Sequence, residues 1–199
     1  VLGFSTFFVV GHDWGGPTAY ALAAAHPDTV TKLVILDVTV PGCGGDFSEG
    51  GRRWHHEFHS TLDLPEALIH GREKVYLNWF YSTFAYVPNA ITEVDINEYV
   101  RTYSQPGAMR AGFSYYRELP KDIQDNLENI KRLKLPMPVL AIGGGVSYPH
   151  GRGRGEQTQD SLRRVANNVE GRVFDNCGHF IPEEAPKRLN EELISFFSK

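Results

Sequence analysis

The chain has 199 residues, 41% of them hydrophobic, which is enough for one sizeable core with an appended lobe. Its net charge of −4, with no long basic run interleaved among the aromatic side chains, argues against a nucleic-acid partner and favours a neutral small molecule. Cys43 and Cys177 are too few for a disulfide framework and lack redox or zinc spacing, so a reducing, cytoplasmic setting is expected. No apolar run approaches the roughly 18 residues needed to span a bilayer, and the opening Val1-Leu2-Gly3-Phe4 has no basic region like that of a signal peptide, so no membrane partner is expected.

Phe7-Phe8-Val9-Val10 is a continuous apolar run ending at Gly11, the pattern of a strand buried on both faces of a parallel sheet. Pro17 and the alanine-rich stretch Ala19 to Ala25 predict a helix, which the His26-Pro27-Asp28 break ends. Leu33-Val34-Ile35-Leu36 gives the next strand, completing a βαβ unit and hence a parallel sheet with covered faces. The same character returns at Pro138–Ile142 (strand), Gln157–Ala166 (helix), Arg172–Phe174 (strand) and Pro186–Phe197 (amphipathic helix). Residues 1–40 and 136–199 therefore read as one α/β core.

Between Pro41 and Leu135 the chain changes to short helical segments broken by Gly and Pro, dense in aromatic residues, which reads as an inserted helical lid over residues 41–135. Most of those aromatics, Trp79, Phe80 and Phe84 among them, should form the lid's own core, and a few should line a pocket. Gly143-Gly144-Gly145 and Gly151-Arg152-Gly153-Arg154-Gly155 read as one flexible basic loop, without the spacing of a phosphate or dinucleotide cradle.

The chemistry is carried by Gly11-His12-Asp13-Trp14-Gly15-Gly16, which lies between a predicted strand and helix, the setting of a nucleophile elbow with aspartate where serine usually stands. The turn would thrust Asp13 out at the carboxyl end of the sheet, against a helix N-terminus whose dipole favours its anion. A carboxylate nucleophile attacks an sp³ carbon and leaves an alkyl ester, which a base-activated water must then cleave. His179 follows the fourth strand and so emerges on the same sheet edge as Asp13. A third group must orient that imidazole; Asp37, at the end of the second strand, is preferred over Glu156.

His12-Asp13-Trp14-Gly15-Gly16 resembles the elbow of the α/β-hydrolase epoxide hydrolases and haloalkane dehalogenases, and Asn176-Cys177-Gly178-His179-Phe180-Ile181-Pro182-Glu183-Glu184 resembles their catalytic-histidine loop. The resemblance runs through essentially the whole chain and implies an α/β-hydrolase fold that opens an epoxide to a vicinal diol. Asp37 is similar to the acid of the subgroup that places it after the strand following the nucleophile. Tyr115-Tyr116-Arg117 resembles the ring-opening tyrosine motif, which makes Tyr116 the proton donor; Trp54-His55-His56 resembles the partner motif, which makes His55 the second donor. Trp14, through its backbone N–H, together with His12 and Trp54, completes the expected oxyanion and substrate-binding set.

No cofactor and no metal are expected. His55 and His59 stand at i and i+4, yet His56-Glu57-Phe58-His59 is one residue short of HExxH and a third ligand is wanting.

In the resembled family, earlier strands precede the nucleophile strand and a loop among them gives a second oxyanion N–H. Here that strand opens the chain, so the expectation is an α/β-hydrolase fold lacking its N-terminal strands: a piece of a longer enzyme, or a shortened homologue whose bare first-strand edge pairs as a homodimer. The same nucleophile would also serve a haloalkane dehalogenase, with Trp14 cradling halide, and a pocket without catalysis would make a ligand-binding homologue.

Overall fold

Alternation along the second strand decides how the sheet is covered. Leu33 and Ile35 join Ala19, Tyr20, Ala23, Val139, Ala141, Leu162 and Val165 in one apolar cluster; Val34 and Leu36 join Leu140, Ile142, Phe174, Ile181, Leu189 and Phe196 in another. Successive side chains of a strand face opposite ways, so both faces are buried and each needs its own layer of helices. Truncating one such residue, for example Leu33→Ala, costs about 2–5 kcal/mol.

The computed structural model describes residues 3–44 and 47–199. Val1, Leu2, Gly45 and Asp46 fall outside the described residues, and half of the stretch inspected for a leader falls there with them. In chain order the elements are β1 (Phe7–His12), α1 (Gly15–Ala25), β2 (Val30–Leu36), α2 (His55–Ser60), α3 (Leu64–Ile69), α4 (Glu73–Phe84), α5 (Glu93–Tyr103), α6 (Ala108–Arg132), β3 (Val139–Gly144), α7 (Gln157–Val165), β4 (Val169–Phe174), α8 (Ile181–Glu184) and α9 (Pro186–Ser198). The four strands pair in parallel in the order β1-β2-β3-β4. Helices α1 and α7 contribute to one apolar cluster, α8 and α9 to the other. The carboxyl ends of all four strands therefore share one edge, where loops carry side chains into common space. No helix among the described residues is long and apolar enough to cross a membrane.

Three local expectations need correcting. β1 is not buried on both faces: Phe7, Phe8 and Val10 are exposed, because β1 pairs only with β2 among the described residues. On the α9 side Phe197 stacks on Phe8 at 4.6 Å. The helical segments between β2 and β3 are not all short: α6 runs 25 residues straight through Pro120. A proline inside a helix removes one backbone bond at about 3 kcal/mol, a cost that the packing of α6 on the rest of the segment outweighs. Finally, the Gly151–Arg154 stretch is buried rather than a flexible loop. It returns along β3 with hydrogen bonds from Gly153 N to Val146 O and from Gly155 N to Gly144 O.

Helix α5 shows how the intervening segment is ordered despite its many polar residues. Thr92 and Asp95 form a reciprocal capping box at its start, satisfying backbone N–H groups that would otherwise be orphaned.

Candidate active site

Asp13 occupies the turn between β1 and α1 with φ of +49°, a conformation that L side chains seldom adopt. The turn closes with a 2.8 Å bond from Gly16 N to Asp13 O. Two glycines make room for it: a Cβ on Gly11 would sit 2.2 Å from the Gly15 carbonyl oxygen, and one on Gly16 would sit 2.3 Å from a Val38 methyl group. The half-exposed Asp13 side chain projects into a cavity of about 270 Å³ that Trp14, Asp37, Phe47, Arg53, His55, Tyr116 and His179 help to line.

Asp37, one residue past β2, also has positive φ, at +50°. Its Oδ1 accepts backbone bonds from Gly144 N at 2.8 Å and Arg154 N at 2.7 Å, and its Oδ2 lies 2.8 Å from His179 Nδ1. The other imidazole nitrogen, Nε2, is 3.4 Å from Asp13 Oδ1. The three expected residues thus form a continuous line, carboxylate to imidazole to carboxylate, whereas Glu156 is an exposed residue at the start of α7.

Electrostatics set the resting state of this line. Burial resists charging of His179, but its hydrogen bonds to Asp13 and Asp37 outweigh that and raise the imidazole to about 9. The protein enclosing the cavity likewise works against ionisation of Asp13 by thinning its hydration, and the bond to His179 overrides it, holding the carboxyl well below the usual carboxylate range. At neutral pH the resting pair is carboxylate and imidazolium.

On the opposite wall, apart from the Arg53 guanidinium, the titratable groups nearest Asp13 are neutral. Burial, reinforced by the charge of Asp13, raises the Tyr116 phenol well above its ordinary value, so it remains a hydroxyl. The Tyr116 ring packs edge-on against Trp14 at 5.0 Å and His59 at 4.4 Å, while the partly exposed Tyr115 stacks on Trp14 at 5.5 Å and also borders the cavity. Burial, then the neighbouring histidines and Arg53, keep His55 neutral, with its pKa down at about 2. His59, buried near His56 and Arg117, is pressed to about 3. Phe80 and Phe84, expected in the lid's core, line the cavity; Trp79, also expected there, is partly exposed.

Two expected substrate-facing residues lie elsewhere. The His12 ring turns from the cavity, and its Nε2 donates to the His179 carbonyl oxygen at 2.8 Å, bracing the histidine loop against the elbow. Trp54 is partly exposed and packs on Phe58, Trp79 and Phe80 behind the cavity wall. The cause is spacing: Trp54 immediately precedes α2, so it leaves the helix surface at a different angle from His55.

Other contributors were not evident from sequence. Glu184 accepts four backbone N–H groups: Gly178, Tyr86 and Val87 on Oε2 at 2.8, 2.7 and 3.0 Å, and Phe180 on Oε1 at 2.9 Å. The Phe84 carbonyl accepts from His179 N at 3.0 Å and Arg152 N at 3.2 Å. The signal available was the paired Glu183-Glu184 just after the histidine, but nothing local reveals that two of its amide partners, Tyr86 and Val87, come from a segment far earlier in the chain.

Residues 2–186 match the family model described as the alpha/beta hydrolase fold. The soluble epoxide hydrolase of Corynebacterium sp. (strain C12) is 37% identical over 207 aligned positions, covering 99% of this chain and 68% of that enzyme. Epoxide hydrolase 1 of Caenorhabditis elegans is 26% identical, and this chain spans 49% of its length. Among solved structures, the epoxide hydrolase CorEH superposes with a TM-score of 0.87 at 36% identity, covering 99% of this chain and 69% of that one. Cfl2 from Burkholderia cenocepacia superposes at 0.86 with 35% identity, covering 98% and 66%.

Proposed function

This chain belongs to the α/β-hydrolase-fold family, among its epoxide hydrolases, and on that footing we propose that its site opens an epoxide to a vicinal diol through an ester on Asp13. The supporting observation is the unbroken line from Asp13 through His179 to Asp37, facing Tyr116 across one cavity.

In the first step a carboxylate oxygen of Asp13 bonds to a ring carbon, the C–O bond of the epoxide breaks, and the departing alkoxide takes a proton from Tyr116, with His55 as the second donor. A halide would leave without any proton, so a buried hydroxyl kept protonated beside the nucleophile favours an epoxide over a haloalkane. Esterification removes the negative charge that helped to hold the proton on His179. Its pKa then falls, the imidazolium proton passes to the Tyr116 phenolate, and the neutral imidazole is free to take a proton from water.

That water adds to the ester carbonyl, and the oxyanion faces the backbone N–H of Trp14. Collapse expels the diol and restores the carboxylate, which now holds an oxygen from water. Residues 41–135 act as the lid of this site, over a core of residues 1–40 and 136–199.

Turnover of styrene oxide in ¹⁸O-water tests the reading: the expected result is diol, with label accumulating in the peptide that contains Asp13. Diol formed with Asp13 unlabelled over many turnovers would rule out the ester.

A further inference from the structure

Guanidinium groups are costly to bury, and each calls for a partner on every face that loses water. Arg53, Arg152 and Arg154 are 4%, 7% and 4% exposed, respectively, and gather at one end of the catalytic cavity, where Arg53 and Arg154 form part of the wall beside Phe47 and His56. Arg53 Nη2 donates to Glu49 at 2.8 Å and to the Arg152 carbonyl at 3.1 Å, and Arg154 Nη1 meets the same Glu49 carboxylate at 3.1 Å. Arg152 lies over the Tyr148 ring at 4.6 Å. Within the cluster, Nε of Arg53 and Nη1 of Arg152 are buried without a hydrogen-bond partner among the described residues. Burial and the charge of Arg53 lower even Arg154, to about 10.

We propose that this end of the cavity is a subsite for a carboxylate carried by the substrate, with Arg53 as the specificity-determining residue, so that the preferred substrate is a short epoxy acid. The inference rests on the epoxide-opening reading given above. A planar guanidinium edge with a free N–H matches a carboxylate in geometry and charge. Arg53 and Asp13 line one cavity of only about 270 Å³, so the acid group has to lie within a few bonds of the epoxide.

The test compares 5,6-epoxyhexanoate with 1,2-epoxyhexane. The expected kcat/KM is at least about tenfold higher for the acid, as a charge-assisted contact gives. The ratio should fall toward one in Arg53→Met and recover in part in Arg53→Lys; Glu49 keeps Arg154 as its partner in both variants. A wild-type ratio near one, or a ratio unmoved by Arg53→Met, overturns the subsite while leaving epoxide opening intact. Calorimetry with hexanoate and hexanamide provides a second readout that needs neither turnover nor a folded variant. Hexanoate binding at least tenfold more tightly than hexanamide supports the subsite even if no epoxide is opened, and equal binding overturns it.

Discussion

The two walls of the cavity handle polar groups in opposite ways. On the sheet side the groups are charged, and each charge sits where fixed backbone amides or an opposite charge already await it. Asp37 receives two N–H groups and an imidazole, and Asp13 has its imidazolium. On the helical side the titratable groups are buried with few such partners, and burial keeps Tyr116, His55 and His59 neutral. Strand ends and tight turns offer spare backbone donors, whereas the middle of a helix has none. One wall can therefore hold a carboxylate and its countercharge while the other holds a neutral hydroxyl.

Substitutions at both walls can break this contrast. Asp13→Ala should abolish turnover, by about 10⁴-fold or more as for other covalent nucleophiles, and steady-state diol formation checks it. His179→Gln should be nearly as severe for turnover but should still allow the first step, so intact-mass measurement should show a stable adduct of protein plus epoxide. An unmodified protein would mean that the imidazole is needed before the ester forms. On the helical wall, Tyr116→Phe should lower kcat by about 10²- to 10⁴-fold, with the residual rate owed to His55. A change under threefold in single-turnover kinetics would deny Tyr116 the donor role.

A smaller effect should appear in stability. His179 is raised from 6.5 to about 9 in the fold, so its contribution is complete below pH 6.5 and is lost as pH climbs through 9. Denaturant titrations across that window should show wild type weakening with pH, and Asp13→Ala should flatten the dependence. The smallest change is expected from Glu184→Gln, which keeps an acceptor but loses its charge: about 1–2 kcal/mol in stability, with kcat/KM moving less than for Tyr116→Phe.

The same contrast explains what could be read from the chain alone. Strands and helices of the sheet side declare themselves by local patterns, as in Leu33-Val34-Ile35-Leu36 and the alanines of α1, and parallel topology then brings Asp13, Asp37 and His179 to one edge without further information. His12 was misassigned because position in a motif does not reveal where a ring turns; it faces a carbonyl 167 residues away. The arginines of Gly151–Gly155 read as part of a flexible basic loop because glycine-rich stretches usually are. Their burial depends on Phe47, Glu49 and Phe84, all remote in sequence. The exposure of Phe7, Phe8 and Val10 was legible only in part: the apolar run itself looks the same at an edge as at a centre, and the bare edge was expected from the resemblance instead.

Because the carbonyl of Phe84 holds both His179 and Arg152, while Glu184 grips the amides of Tyr86 and Val87, the helical wall is fastened to the histidine loop along one side. Elsewhere Trp14, Tyr103, Gly112 and Tyr115 border both the cavity and an outer groove, which brings the two spaces side by side. Tyr99 of α5 adds a bond to Glu183 at 3.1 Å, so the fastening holds α4, α5 and the histidine loop together and keeps His179 in its place.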